Sequence, residues 1–487
     1  MKWETVIGLE AHVELSTKTK IFCSCSTEFG GAPNTHCCPV CTGMPGTLPV
    51  LNKKVLEYAV RAGLALNCSI NEYNRFDRKN YFYPDLPKAY QISQLYLPFA
   101  QTGFVDIKTK SGARRRIRIH EIHMEEDAGK LIHFAKDNST CMDYNRCGIP
   151  LLEIVTEPDF RTAEEVTAFL GKIKSVFEYL GISDCKMEEG SMRADVNLSV
   201  RPEGASEFGT RTEMKNISSF RAIERAIAYE AKRQTEVIEN GGTIIQETRR
   251  WDDVKCQSMS MRSKENAQDY RYFPEPDIPP VCISKEEIQD YNDICPEFAD
   301  ERAERFIREM KLSEEDAEII SASKNLADIF EETVKICEAP QEVRFWFMSG
   351  VLYYMNETNT DACDIKLKPE KFAEFINIVQ SGKITRISGK QVFEKLLSGD
   401  DFDIMTFIKE NQLEQVEDTG LVEETVRSVI SANPKAVSQY KNGETKIMGF
   451  FVGQVMKKLK GKADPALVNK AVAEGLDRTN SNRENVK

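Results

Sequence analysis

Apolar and polar residues alternate along residues 9–15. Leu9, Ala11, Val13 and Leu15 fall on one face and Glu10, His12 and Glu14 on the other, which predicts a strand with one buried side. The cleanest alternation is at residues 192–201, where Met192, Ala194, Val196, Leu198 and Val200 oppose Arg193, Asp195, Asn197, Ser199 and Arg201. A connection from Gly204 to Gly209 leads into a second alternating stretch at 211–216, so the two read as a hairpin whose polar face carries Asp195, Asn197, Glu213 and Lys215. Residues 148–159 form a short apolar strand that carries Glu153. Residues 117–130 open as alternation at Ile117 and Ile119 and run out through His120, Glu121, His123, Glu125, Glu126 and Asp127 to Gly129. That pattern is a strand ending in a carboxylate-rich loop, and it reads either as a solvated charged loop or as a site for a divalent cation.

Helical spacing begins after Thr162 and Glu165, which match a capping box. Val166, Phe169, Leu170, Ile173, Phe177 and Leu180 follow, and Gly181 stops the run. Ser218 or Ser219 opens another helix, carrying Phe220, Ile223, Ile227 and Ala231 and ending at Gly241 and Gly242. Four prolines between residues 274 and 280 read as the exit from a domain. From about residue 296 the chain reads as mostly helical, with Ser313 opening one helix and Asp464 and Pro465 opening another.

Composition narrows the classes. A chain of 487 residues with 41% apolar residues suffices for roughly three domains with real cores. The net charge of −12 excludes a general polycation, so any nucleic-acid contact must be local. No apolar run approaches membrane-spanning length, and the N-terminus lacks the apolar core of a signal peptide. Fourteen cysteines in such a chain point to reduced thiols, a metal site and a cytoplasmic location.

The cysteines cluster. Cys23 and Cys25 form one close pair, and Cys38 and Cys41 form another around Pro39, the pattern of a structural four-thiolate zinc site. His36 and Cys37 are additional candidates beside it. Residues 77–94 interleave Arg78, Lys79 and Lys88 with Tyr81, Phe82, Tyr83 and Tyr90, which suits phosphate and base contacts or a buried aromatic loop. Residues 269–277 repeat this mixture. No phosphate-binding Gly-x4-Gly-Lys-Ser/Thr loop and no protein-kinase motif set occurs, so phosphate binding needs another cradle, for which Lys79, Arg193 and Lys215 could supply positive charge. The segment 454–487 holds eight Lys or Arg against four Asp or Glu, with Lys457, Lys458, Lys460 and Lys462 densest.

Five motifs in one order resemble the B subunit of the aspartyl/glutamyl-tRNA amidotransferase family: residues 6–15, 77–94, 123–129, 186–193 and 269–277. The resemblance spans essentially the whole chain. It implies an α+β architecture: a mainly antiparallel-sheet cradle domain with a zinc knuckle (1–293), an α-helical domain (294–405) and an α-helical tail domain that contacts tRNA (406–487). It also implies ATP-dependent phosphorylation of the side-chain carboxylate of Glu-tRNA(Gln) or Asp-tRNA(Asn), then amidation with ammonia. The ammonia would come from a separate amidase (glutaminase) chain, joined with a small third chain in a heterotrimer. ATP, Mg²⁺ and a structural Zn²⁺ at Cys23, Cys25, Cys38 and Cys41 are the expected cofactors. On this reading Glu10, His12 and Glu125 meet across strands to bind Mg²⁺, with Glu126, Glu188 and Glu189 as further ligand candidates. Lys79, Arg193 and Lys215 are the catalytic cations, and the four tail lysines bind tRNA. Two other classes compete: a non-catalytic zinc-containing RNA-binding protein, which leaves the carboxylates idle, and a metallohydrolase, which leaves the aromatic-basic segments unexplained.

Overall fold

The computed structural model describes residues 2–134, 136, 138–263, 269–415, 419–441, 444, 446–459 and 461–481. It is a mixed α+β chain that divides into two compact units, Met1–Phe298 and Ala299–Lys487.

The first unit is organised around one nine-stranded sheet with Trp3–Glu14 at its centre. This strand pairs antiparallel with Pro150–Thr156 on one side and Met192–Pro202 on the other. Arg114–Glu126 and Ala100–Lys108 extend the first side, with Ser69–Ile70 at the edge. Thr212–Lys215, Glu247–Asp252 and Gln257–Ser263 extend the other. Alternation decides which face is dry. Leu9, Ala11 and Val13 meet Leu152, Ile154, Ala194, Val196 and Leu198 in one apolar core. Two helices join that core, Ala163–Leu180 through Val166, Phe169, Ile173 and Phe177, and Phe220–Glu239 through Ala222, Ile223 and Ala226. Both predicted starts are present: the Thr162–Glu165 capping box is closed in both directions, and the Ser219 hydroxyl accepts from the Ala222 N–H. The opposite face of the sheet keeps the acids and bases of the alternating strands.

Small strand pairs complete this unit. Asp77–Asn80 pairs with Tyr90–Ser93 and with Phe273–Pro274, so the two aromatic-basic segments become neighbours. The prolines from 274 to 280 do not leave the unit. Val281–Cys282 pairs with Tyr73–Asn74, the helix Lys285–Asp293 follows, and the unit ends at Phe298.

The second unit is helical from Ala299–Met310 to Pro465–Ser481. Its buried residues form two clusters, one from Ala303 to Leu413 around Phe330, Trp346, Phe372 and Phe393, and one from Val422 to Leu476. Ser313 caps Glu314–Ser321, and Asp464 accepts from the Ala466 N–H at the start of Pro465–Ser481. Among the described residues no helix is long and apolar enough to cross a membrane.

Candidate active site on the polar face of the sheet

Register, set by the central strand, builds the site. His12 stands opposite Glu153 on one neighbour and Arg193 on the other, and Glu153 stands opposite His123 on the next strand out. Side chains level with each other on one face of adjacent strands lie within contact range. The His12 Nε2 is 3.7 Å from a Glu125 oxygen and 3.7 Å from a Glu153 oxygen. His12, Glu125 and Glu153 each offer one ligand atom, and these atoms lie within 4.8 Å of one another. His123 Nδ1 lies 3.8 Å from Glu153, and its Nε2 lies 3.0 Å from Glu121.

The charges here are mutually dependent. Burial raises the Glu125 carboxyl above the ordinary carboxylate range, and Glu153 beside it pushes the same way. Burial also works against ionised Glu153, but His12, His123 and Lys79 outweigh it and hold that carboxyl low. Burial opposes the Lys79 ammonium, yet the attraction of Glu125 and the other anions around it raises its pKa well above the ordinary lysine value. Lys79 also rests 5.2 Å from the Tyr270 ring centre, within an aromatic group in which Tyr270 contacts both Tyr81 and Tyr272 edge-on.

Glu10 does not join this triad. Two positions along the strand from His12, it faces Asp195 and takes the Asn197 amide at 2.9 Å. With Asp195 and Glu213 it makes a second carboxylate triad, into which Lys215 reaches, 2.9 Å from Glu213 and bonded to Asp195. Glu126, adjacent to Glu125, turns to the other face of its strand, where it pairs with Lys88 and accepts from the Ile92 N–H at 2.9 Å. Glu188 and Glu189 sit exposed in the turn before Met192, with Glu189 3.4 Å from Lys186. Arg193 donates to Asp127 at 2.7 Å. Asp127 is followed by a loop that only glycine fits: a Cβ on Gly129 would lie 2.9 Å from the Asp85 carbonyl oxygen. Burial, with the charge of Asp127, pushes the Glu14 carboxyl up to about 8.

The sequence pattern places Glu153 on its strand without assigning it to the site, and likewise leaves Asp195 and Glu213 as polar-face residues. Glu153 carries a usable signal, as the lone ionised side chain in the run Pro150–Thr156, where burial demands a partner.

The four thiols also converge. One sulfur each from Cys23, Cys25, Cys38 and Cys41 lies within 4.8 Å of the others, which suffices to hold a metal ion. The Cys38 N–H donates to the Cys41 sulfur at 3.2 Å, and the Thr42 N–H closes a turn onto the Cys38 carbonyl at 3.0 Å. Hydrogen bonding from Cys23 brings Cys41 down to about 4, while burial lifts Cys25 to about 11. The Cys37 sulfur is instead bonded to the Asn34 carbonyl, 3.2 Å away.

In the second unit Lys457 and Lys458 occupy the exposed last turn of Ile447–Lys458, with Lys458 2.9 Å from the Ser428 hydroxyl, and Lys462 is half-buried. Lys460 lies outside the described residues.

Known proteins are similar to this chain over nearly its whole length. Residues 5–289 match the family model described as the GatB/GatE catalytic domain, and residues 328–476 match the GatB domain. A protein of Lachnoclostridium phytofermentans, named as the B subunit of an aspartyl/glutamyl-tRNA(Asn/Gln) amidotransferase, is 55% identical, covering 98% of this chain and 99% of that one. Proteins of the same name from Caldicellulosiruptor saccharolyticus and Carboxydothermus hydrogenoformans are 53% and 50% identical, each covering 98% of this chain and 100% and 99% of their own lengths. The chain therefore belongs to the B-subunit family of the aspartyl/glutamyl-tRNA(Asn/Gln) amidotransferases.

Proposed function

We propose that this chain is the carboxylate-activating component of a tRNA-dependent amidotransferase. The convergence of His12, Glu125 and Glu153 beside Lys79 carries the reading. In the reaction, a side-chain carboxylate oxygen of Glu-tRNA(Gln) or Asp-tRNA(Asn) attacks the γ-phosphorus of ATP, and ADP leaves. Ammonia then attacks the acyl carbon, and phosphate departs with that oxygen. No protein nucleophile is needed, so the chain's task is positioning and charge.

His12, Glu125 and Glu153 would hold Mg²⁺, three donors that leave positions for water and phosphate oxygens. When bound, the cation would neutralise phosphate charge. Lys215 already pairs with two carboxylates of the second triad, Asp195 and Glu213, so the first is the better cation site. Lys79, beside Glu125 and Glu153, would supply positive charge to the phosphate, while Arg193 fixes Asp127. Ammonia comes from a glutaminase partner of the amidase type, with a small third chain completing a heterotrimer in the cytoplasm. The three-part division at 1–293, 294–405 and 406–487 belongs to this reading.

Incubation with ATP and mis-acylated tRNA tests it. A ligase consumes ATP only with its acyl substrate, a non-catalytic RNA-binding protein consumes none, and a hydrolase needs no ATP. The binder also leaves both triads without a task.

Cys23, Cys25, Cys38 and Cys41 would hold one structural Zn²⁺, with all four positions filled by protein. Metal analysis of the purified chain is expected to find one zinc. Cys25→Ser is expected to loosen the first unit and raise the zinc needed for folding. A zinc-free preparation with four freely titrating thiols would contradict this.

The tail gives the tRNA body a second grip. Replacing Lys457, Lys458, Lys460 and Lys462 with Ala is expected to raise the KM for mis-acylated tRNA while the partner's glutaminase persists. The log–log salt slope of tRNA binding should flatten by about 0.7–0.9 for each lost backbone contact. An unchanged KM and slope would reduce these lysines to a solvated helix end.

A further inference from the structure

Lys20 is among the largest side chains with no exposed surface, in a class of residue that is almost never fully buried unpaired. Taking an ammonium out of water is costly unless an anion faces it. Among the described residues no carboxylate pairs with Lys20. Its Nζ donates to the Cys41 sulfur at 3.6 Å and to the Tyr144 carbonyl oxygen at 3.3 Å. Glu126 lines the same cavity of about 200 Å³ but is committed to Lys88 and the Ile92 N–H.

The backbone around Lys20 is fixed. Its N–H donates to the Cys25 carbonyl at 3.0 Å, and the Ile21 N–H donates to the Gly148 carbonyl at 2.9 Å. Gly148, at φ +80°, lies against the stem, and a Cβ there would sit 3.6 Å from the Lys20 Cδ. The ammonium is thus built into the fold and aimed at one thiol of the quartet.

Four thiolates around a divalent cation leave a net charge of −2 in a half-buried loop. We infer that Lys20 compensates part of this charge through Cys41 and so positions the quartet for its metal. The inference rests on the zinc reading above. Partners behind a metal's own ligands orient those ligands and tune affinity, by a factor on the order of 10–100 when removed.

The test is zinc binding to the full-length chain, measured by competition with a chromophoric chelator. Lys20→Met keeps the stem and loses the charge, and is expected to weaken zinc binding by on the order of 10–100-fold. Lys20→Gln keeps a donor for the Tyr144 carbonyl but not the charge. It is expected to lose as much, and it carries the comparison if the Met variant fails to fold. Lys88→Met removes an ammonium from the same cavity that is already paired with Glu126, and is expected to bind zinc as the parent does. Parental zinc affinity in either Lys20 variant would overturn the inference, as would an equal loss in Lys88→Met. A parent chain that binds no zinc would instead overturn the zinc reading itself and this inference with it.

Discussion

Replacing Glu153 with Gln is expected to lower tRNA-dependent ATP consumption by a factor on the order of 10²–10³. The change keeps size and removes one charge. Glu153 is the anion that His12, His123 and Lys79 all face, and it sits level with His12 on the adjacent strand. Losing it removes one of three proposed cation donors and leaves His12 with Glu125 alone. The Mg²⁺ concentration for half-maximal rate should rise together with the fall in rate. Glu125→Gln should behave alike, because its carboxylate meets the same His12 nitrogen. Glutaminase activity of the partner should survive in both. Full ATP consumption in Glu153→Gln at unchanged Mg²⁺ dependence would remove the triad from the chemistry.

Lys79→Met is expected to lower the rate to a similar degree, on the order of 10²–10³, with the opposite effect on the metal. Lys79 is attracted to Glu125 and Glu153 and packs on Tyr270. Its removal takes a competing positive charge away from the triad, so Mg²⁺ affinity should hold or tighten while phosphoryl transfer slows. This split separates a cation acting on phosphate from one that only balances the carboxylates. Loss of rate that added Mg²⁺ restores would assign Lys79 the balancing role. Loss that saturating Mg²⁺ leaves in place supports contact with the transferring group.

Much of this arrangement was legible in residue order. Period-two alternation placed the polar faces of Trp3–Glu14 and Met192–Pro202, and the capping residues marked the starts of two helices. Register was not legible. Glu10 and His12 share a face, yet one faces Asp195 and the other Glu153, so a step of about 7 Å along the strand divides them between two triads. Nothing local encodes which residue of a neighbouring strand stands opposite. Glu126 was equally illegible: residue order reads these carboxylates as a loop, but the strand runs on through Glu126, so Glu125 and Glu126 point opposite ways. The separate fate of the proline-rich stretch has a similar origin. Prolines mark a stiff connection, but only pairing of Val281–Cys282 with the distant Tyr73–Asn74 reveals that the chain turns back into the same unit.

The central claim is that the substrate's own side-chain carboxylate is phosphorylated at this site. It is tested most directly with Glu-tRNA(Gln) carrying ¹⁸O in that carboxylate, incubated with the assembled amidotransferase, ATP, Mg²⁺ and glutamine. Attack on the γ-phosphorus and later loss of phosphate by C–O cleavage predict that one labelled oxygen appears in the inorganic phosphate for each amide formed. Amide formed with phosphate free of label would contradict carboxylate activation, and with it the role assigned to His12, Glu125, Glu153 and Lys79.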